Sequence, residues 1–246
     1  MKEPPIVVAG AGVRVADVTH AYRGRGGDVV ALEQMSLQAA PGEIVAVVGP
    51  SGCGKSTLLE LVCGLQSPDA GTVDADPAVY MPQRDLLLPW SDALSNAALP
   101  LLVAGTPRRR ARELARPLFA QLGLAGFERS MPSELSGGMR QRVAFLRTLL
   151  SGKPVLALDE PFAALDALTR AQAQAWLADA LRREPRTVVL VTHDVEEAVL
   201  LADRLVVMSP RPGRAVAELP VDVARPRART DPAVIALRER ALEALL

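Results

Sequence analysis

A short apolar segment that runs directly into a glycine-rich loop constrains the fold of this chain more than any other feature. Residues 44–48 (IVAVV) are all apolar and mostly β-branched, which is typical of a strand buried on both faces of a parallel sheet. The loop 49–57 (GPSGCGKST) follows, and from Leu58 apolar residues recur at helical spacing as far as Gly64. This order of strand, loop and helix predicts an α/β fold.

The loop matches the pattern G-x-x-x-x-G-K-[ST], which is a phosphate-binding signature. Its glycines let the backbone curl so that N–H groups point at phosphate oxygens, and the positive end of the following helix adds to the attraction. We expect Lys55 to reach the β- and γ-phosphates and Ser56 to hold Mg²⁺. The only asparagine, Asn96, is followed by Ala, so the Asn-Lys-x-Asp base reader of GTPases is missing. On this motif alone, the possibility that the chain is a small-molecule kinase remains open.

Polar residues follow two further apolar segments at the point where each ends. Residues 155–158 lead into Asp159 and Glu160, and residues 187–191 lead into Thr192 and His193. Open α/β sheets place their ligands at the carboxyl ends of the strands. Asp159 is suited to an outer ligand of Mg²⁺, Glu160 to a general base for an attacking water, and His193 to a contact with the γ-phosphate or that water. His20 has no such position, and we expect it to be structural or exposed.

The remaining segments outline the organisation of the chain. Residues 13–20 and 29–39 indicate strands, while residues 85–150 indicate a helical insertion punctuated by prolines. After Ser209 the chain is rich in Pro and Arg and ends in a short amphipathic helix, 232–246. We therefore predict one main domain, which contains the phosphate loop, over residues 1–215 and a C-terminal tail over residues 216–246.

Charge and cysteine content exclude several classes of protein. The 28 basic and 28 acidic residues give a net charge of zero, whereas binding to nucleic acid usually needs a basic excess. Two cysteines do not form a disulfide framework. Neither a signal peptide nor a run of eighteen apolar residues is present, so we expect a soluble protein whose membrane association comes through a partner.

A second glycine-containing segment, residues 135–142 (LSGGMRQR), precedes another helical pattern. A serine and two glycines at a helix N-terminus form a second anion site. One nucleotide does not need two such loops unless the site is shared between two chains. A head-to-tail dimer with twofold symmetry places the second loop of each chain against the nucleotide of the other.

These motifs, in this order, resemble those of an ABC transporter ATPase subunit. The Walker A loop is 49–57, the signature is 135–139 and Walker B is 155–160. Gln83 resembles the Q-loop glutamine, residues 164–166 the D-loop, and His193 the switch histidine. Tyr22 stands where the family has an adenine-stacking aromatic residue. Met139 departs from the family, whose signature commonly has Gln there, so the phosphate role is kept for residues 136–138 only.

The resemblance implies a P-loop NTPase core of the RecA-like type, with a β-rich edge and a helical signature subdomain. Glu160, His193 and Gln83 are then catalytic, and Mg²⁺ is held by Ser56, Gln83 and Asp159. The implied contacts to ATP come from Tyr22, Gly49, Pro50, Ser51, Gly52, Cys53, Gly54, Lys55, Ser56, Thr57, Ser136, Gly137, Gly138 and Asp166.

The implied partners are a second copy of the chain, integral membrane permease subunits and, indirectly, a solute-binding protein, with no nucleic acid. The stretch from Met81 to Leu101 resembles the nitrate/sulfonate/taurine importer subfamily, whose relatives also import pyrimidine vitamin precursors. This places the chain on the cytoplasmic face of the cell membrane. An exporter ATPase and a soluble, non-transport ABC ATPase are the alternatives.

Overall fold

A computed structural model describes residues 12–24 and 27–245, so the parts of the predicted domain at residues 1–11 and 25–26, and the last residue of the predicted C-terminal helix, lie outside it. Nine strands form in the described part of the chain. They are β1 (Val13–Tyr22), β2 (Val29–Ala39), β3 (Ile44–Val48), β4 (Ala70–Ala75), β5 (Ala78–Met81), β6 (Val155–Asp159), β7 (Thr187–Thr192), β8 (Arg204–Met208) and β9 (Ala215–Pro220).

The main sheet has six strands in the order β5-β6-β7-β3-β8-β9. All neighbouring pairs are parallel except the last, in which β9 runs antiparallel to β8. Every residue of β3, β6 and β7 is buried, as the continuous apolar runs predict for central strands of a parallel sheet. A second sheet, β2-β1-β4, is antiparallel and forms the β-rich edge. The predicted fold class is confirmed.

Eight α-helices accompany the strands in the described residues. They are α1 (Lys55–Val62), α2 (Ala93–Ala97), α3 (Leu99–Val103), α4 (Arg108–Gln121), α5 (Gly137–Leu149), α6 (Ala167–Arg183), α7 (Val195–Leu201) and α8 (Pro232–Glu243). Asp92, Ser136, Asp166 and Asp194 each accept a backbone N–H bond at the start of a helix. These caps explain why α2, α5, α6 and α7 begin where they do.

Helices α2 to α5 lie between β5 and β6 in the chain and pack together as a helical lobe. In α4, Ala111, Ala115 and Phe119 are buried at four-residue spacing, so one face of the helix enters the core. The prolines mark boundaries less strictly than the sequence suggests. Pro100 lies in the first turn of α3 and Pro117 inside α4.

Sequence patterns missed strands β4, β5, β8 and β9. β4, β5 and β9 are edge strands, and β4 and β9 contain no buried residue, so their local apolar signal is weak. The predicted domain end at residue 215 falls on the first residue of β9, which pairs with β8. Val234 and Ala241 of α8 are buried in the same core as the main sheet. Because of this pairing and packing, the residues after 215 complete the domain and do not form a separate tail.

Within the described residues, none of the helices combines the length and the apolar character that crossing a membrane requires.

Candidate functional site

Two glycines with positive φ shape the loop between β3 and α1. Gly52 has φ 76° and Gly54 has φ 105°, a region that residues with a Cβ rarely adopt. A Cβ on Gly54 would also lie 2.7 Å from the carbonyl oxygen of Ala31. Gly54 precedes the first residue of α1, so the loop delivers its N–H groups to the helix N-terminus.

Lys55 lies folded over this loop. Its Nζ donates to the carbonyl oxygens of Gly49 at 2.8 Å and Pro50 at 2.9 Å, and the residue is only 7% exposed. The ammonium group is therefore held at the mouth of the loop. The Cys53 side chain lies beneath the loop, 1% exposed, and burial raises the pKa of its thiol. The N–H of Cys53 donates to the carbonyl oxygen of Pro50 at 3.3 Å, so Cys53 shapes the loop and does not line the cavity.

Asp159 ends β6 beside the loop and is buried. Its Oδ2 accepts a hydrogen bond from the hydroxyl of Tyr80 at 3.1 Å. Burial raises the pKa of the Asp159 carboxyl, and hydrogen bonds from Ser56 and Tyr80 partly oppose that effect. A carboxylate next to a serine hydroxyl supplies the oxygen ligands that Mg²⁺ prefers. The donor set of Ser56 and Asp159 therefore fits a magnesium ion.

Glu160 connects three elements of the site. Its Oε1 lies 2.9 Å from Nδ1 of His193, and its Oε2 accepts from Nε2 of Gln83, also at 2.9 Å. The backbone of Glu160 has φ 47°, a left-handed conformation that is unfavourable for a residue with a side chain. Its N–H donates to the carbonyl of Val191 at 2.8 Å, which holds this turn against β7. The three polar side chains are thus brought together from β6, β7 and the segment after β5.

A cavity of about 300 Å³ opens above the loop. Tyr22 lines it from the end of β1, and the Tyr22 hydroxyl lies 3.1 Å from Oγ1 of Thr57. Tyr22 is 42% exposed and is the last residue of β1. The cavity is lined by Tyr22, Val29, Ala31, Ser51, Gly52, Gly54, Lys55, Ser56, Thr57, Gln83, Asp159, Glu160 and Arg211.

The signature residues lie outside the lining of this cavity. Ser136 begins α5, and its Oγ accepts from the N–H of Met139 at 3.2 Å. Gly138 packs against the D-loop, since a Cβ there would lie 3.2 Å from Cδ2 of Leu165. Gly137 instead lines a second cavity of about 350 Å³, which Gln83 borders from the other side. Within one chain, the signature thus faces the Q-loop segment and not the phosphate loop.

Asp166 also lies away from the phosphate loop. It precedes α6, and its Oδ1 accepts from the N–H of Thr169 at 3.0 Å. This bond lowers the pKa of the Asp166 carboxyl. In this chain Asp166 is a helix cap.

Sequence reasoning missed two polar residues of the site. Tyr80 lies on β5 and bonds Asp159, and Arg211 follows β8 and lines the cavity. Tyr80 is one of only two tyrosines, a rarity that offered a weak signal. Arg211 is one of many arginines, and nothing local distinguishes it. His20, in contrast, is 8% exposed and makes an edge contact with the Tyr22 ring at 5.1 Å, in line with a structural role.

A phosphate loop between a buried strand and a helix, with two acidic residues at the end of a parallel strand in the same sheet, defines a P-loop nucleotide hydrolase. The family model described as ABC transporter matches residues 32–163. The chain belongs to the ABC transporter family, and the resemblance drawn from its motifs is confirmed.

Several curated relatives match most of the chain. The formylaminopyrimidine import ATP-binding protein of Halalkalibacterium halodurans is 46% identical over 199 residues, which are 79% of this chain and 80% of the relative. The aliphatic sulfonates import ATP-binding protein of Rhodococcus jostii is 44% identical over 96% of this chain and 94% of its own length. The taurine import ATP-binding protein of Burkholderia pseudomallei is 45% identical over 87% of this chain and 86% of its own length.

Solved structures agree with this assignment. A dimeric structure of the ATP-binding cassette MJ0796, in a post-hydrolysis state bound to ADP and Pi, superposes with a TM-score of 0.78. It is 29% identical and covers 86% of this chain and 100% of its own. A second dimeric structure of the same cassette gives the same TM-score at 28% identity.

Proposed function

We propose that this chain is the ATP-binding and ATP-hydrolysing subunit of an ABC importer. The observation that carries the proposal is the high identity to three import ATP-binding proteins over most of the chain. These relatives are named for the import of formylaminopyrimidine, aliphatic sulfonates and taurine. The transported solute is therefore a small sulfonate-type anion or a vitamin precursor. These three relatives favour neither the exporter nor the non-transport alternative.

ATP binds with its triphosphate on the loop between β3 and α1. The loop N–H groups and the N-terminal end of α1 surround the phosphates, and Lys55 leaves the carbonyls of Gly49 and Pro50 to meet the β- and γ-phosphates. Tyr22, which lines the same cavity, stacks on the adenine.

Ser56, Asp159 and Gln83 would hold Mg²⁺, which would supply positive charge to the phosphates. The hydrogen bonds that Asp159 receives from Ser56 and Tyr80 orient its carboxylate toward the loop. Tyr80 therefore acts as a positioning residue for this ligand.

Hydrolysis uses Glu160 as the general base. Its carboxylate takes a proton from a water molecule as the oxygen of that water attacks the γ-phosphorus, and the bond to the β-phosphate oxygen breaks to give ADP and phosphate. His193 and Gln83 each hold one oxygen of Glu160 at 2.9 Å, which fixes the direction in which the carboxylate faces.

The site is completed by a second copy of the chain. Residues 136–138 and Asp166 lie outside the cavity of their own chain, which is expected if they contact the nucleotide of the opposite subunit. The dimeric state of the MJ0796 structures supports this arrangement. In a head-to-tail dimer, both sites share this composition.

The permease subunits bind near the Q-loop on the cytoplasmic face of the cell membrane. Leu86 and Trp90 follow Gln83 in the chain and are 61% and 75% exposed, respectively. Large exposed apolar side chains next to the hydrolytic site are suited to a protein interface. A solute-binding protein acts through the permease and does not touch this chain.

A growth experiment tests the proposed import. A strain lacking the gene is grown with taurine, an alkanesulfonate or formylaminopyrimidine as the required nutrient, and is then complemented with the wild type or with Lys55→Ala. We expect growth on at least one nutrient to return only with the wild type. Lys153→Ala is the matched control, because Lys153 is exposed and distant from the site. Equal growth on each of the three nutrients with and without the gene contradicts the proposal.

A further inference from the structure

The loop between β8 and β9, residues 209–214 (SPRPGR), is hydrogen-bonded to β2 beside the nucleotide site. The N–H of Gly213 donates to the carbonyl of Ala31 at 2.9 Å, and the N–H of Glu33 donates to the carbonyl of Gly213 at 3.1 Å. A Cβ on Gly213 would lie 2.0 Å from the carbonyl oxygen of Cys53, so the loop lies directly against the phosphate loop. The Pro/Arg-rich segment that the sequence singles out is thus part of the wall of the site.

Arg211 of this loop lines the same cavity as Tyr22 and Lys55. Gly213 pairs in parallel with Leu32, so Arg211, two residues earlier, lies alongside the start of β2. Val29 and Ala31 of that strand also line the cavity. Tyr22 pairs with Val29 in the sheet. Because Tyr22 is the residue proposed to stack on the adenine, we assign the part of the cavity beside the start of β2 to the base.

The positive charge of Arg211 is not paired with another side chain among the described residues. Among the residues that the structure describes, its guanidinium has neither an ion pair nor a hydrogen-bond partner. Arg214, three residues later in the same loop, pairs with the carboxylate of Glu33. A cation without a carboxylate partner, in the wall of a nucleotide cavity, is available to a ligand.

We propose that Arg211 is a nucleotide-binding residue that places its guanidinium plane against the purine base, which Tyr22 also contacts. This assignment rests on the proposed binding of ATP. The guanidinium is planar and weakly hydrated, so it stacks on aromatic rings while its charge is attracted to their π-face. Arginine planes and aromatic side chains are both platforms for stacked bases. The phosphates lie at the Lys55 end, so Arg211 serves the nucleoside part.

Calorimetric titration of the purified full-length chain tests the assignment. ATP, ADP and tripolyphosphate are titrated in magnesium buffer into the wild type, Arg211→Ala, Arg211→Lys and Arg214→Ala. We expect Arg211→Ala to weaken the binding of ATP and of ADP by the same factor, about two- to fivefold, which is the range of an exposed cation–π contact. Tripolyphosphate binding should not change. Arg214→Ala, the control from the same loop, should bind all three ligands like the wild type.

The lysine variant separates stacking from charge. Lysine keeps the charge but not the plane, so Arg211→Lys should bind ATP nearly as weakly as Arg211→Ala. Unchanged ATP affinity in Arg211→Ala, full rescue by lysine, or a loss confined to ATP and tripolyphosphate overturns the proposal. Thermal unfolding of each variant shows that the fold is intact. If the wild type itself binds no ATP, the proposed function fails, which is a different outcome from failure of the Arg211 assignment alone.

Discussion

Nδ1 of His193 lies 2.9 Å from Oε1 of Glu160, although the two residues are 33 positions apart in the chain. The ends of β6 and β7 bring them together, because these strands are parallel neighbours in the main sheet. The Glu160 side chain is 15% exposed, whereas that of His193 is 62% exposed. The carboxylate is therefore held in place inside the site, while the histidine ring remains accessible to a partner or a phosphate.

Replacing Glu160 by Gln should abolish turnover and leave ATP binding intact. The amide keeps the size and the contact to Gln83 but cannot accept a proton, and loss of a general base typically costs about 10²- to 10⁴-fold in rate. Phosphate release and ATP titration measure the two properties. Glu184→Gln is the control, because the Glu184 side chain is 79% exposed and lies outside the site. Near-normal hydrolysis by Glu160→Gln would refute the general-base role.

Replacing Gly213 by Ala should loosen the phosphate loop. The added methyl would lie 2.0 Å from the Cys53 carbonyl and 2.5 Å from Cε of Met208, so the backbone itself has to move. Overpacking of this kind costs about 1–3 kcal/mol in the free energy of unfolding. We expect weaker ATP binding as well, measured by titration. Gly24→Ala, with its nearest contact at 3.4 Å, should be close to neutral, and equal stability of the two variants would contradict the expectation.

Stability should fall as the pH rises from about 4.5 to 7 because of Glu197. This residue is 4% exposed, and burial raises its pKa from 4.5 to about 7. The folded state therefore binds a proton more tightly than the unfolded state. The stabilisation that proton binding to Glu197 gives the folded state is complete below the pKa of the unfolded state. It declines as the pH rises to the pKa of the folded state and is lost above it. The shift corresponds to about 3 kcal/mol.

Urea unfolding at several pH values, for the wild type and Glu197→Gln, measures this contribution. The amide does not ionise, so the variant should lose less stability between pH 4.5 and 7 and be more stable than the wild type at pH 8. Oε2 of Glu197 already accepts from Nε2 of Gln174 at 3.1 Å, and the oxygen of the new amide can do the same. If the two stability profiles run parallel across the whole pH range, Glu197 is not the titrating group.

Replacing Phe119 by Ala should destabilise the helical lobe strongly. Phe119 is fully buried on α4, and removing such a ring from a core costs about 3–5 kcal/mol through lost transfer energy and the cavity left behind. Chemical denaturation gives the free energy of unfolding. Phe127→Ala is the comparison. Because Phe127 is 41% exposed, its replacement should lower the free energy of unfolding much less. Similar losses in both variants would show that Phe119 does not anchor the lobe.

Local patterns were sufficient for β2, β3, β6 and β7 and for the segments that contain a chemical signature, whereas the buried strand β8 was missed. The predicted bounds of β2 and β3 agree with the structure, and the phosphate loop lies at the N-terminus of α1. The acidic residues after β6 and the histidine after β7 were also predicted at strand ends. In each case the required information lies within about ten consecutive residues, because burial and turn chemistry act over that distance.

Tertiary structure alone decided which distant segments meet. Tyr80 bonds Asp159 across 79 positions, since β5 and β6 are neighbours in a strand order that no local pattern specifies. Arg211 reaches the cavity only because Gly213 pairs with Leu32. The residues after 215 belong to the domain because β9 pairs with β8. Strand periodicity determines which side of a sheet a residue faces, whereas the choice of neighbouring strand depends on packing of the whole core.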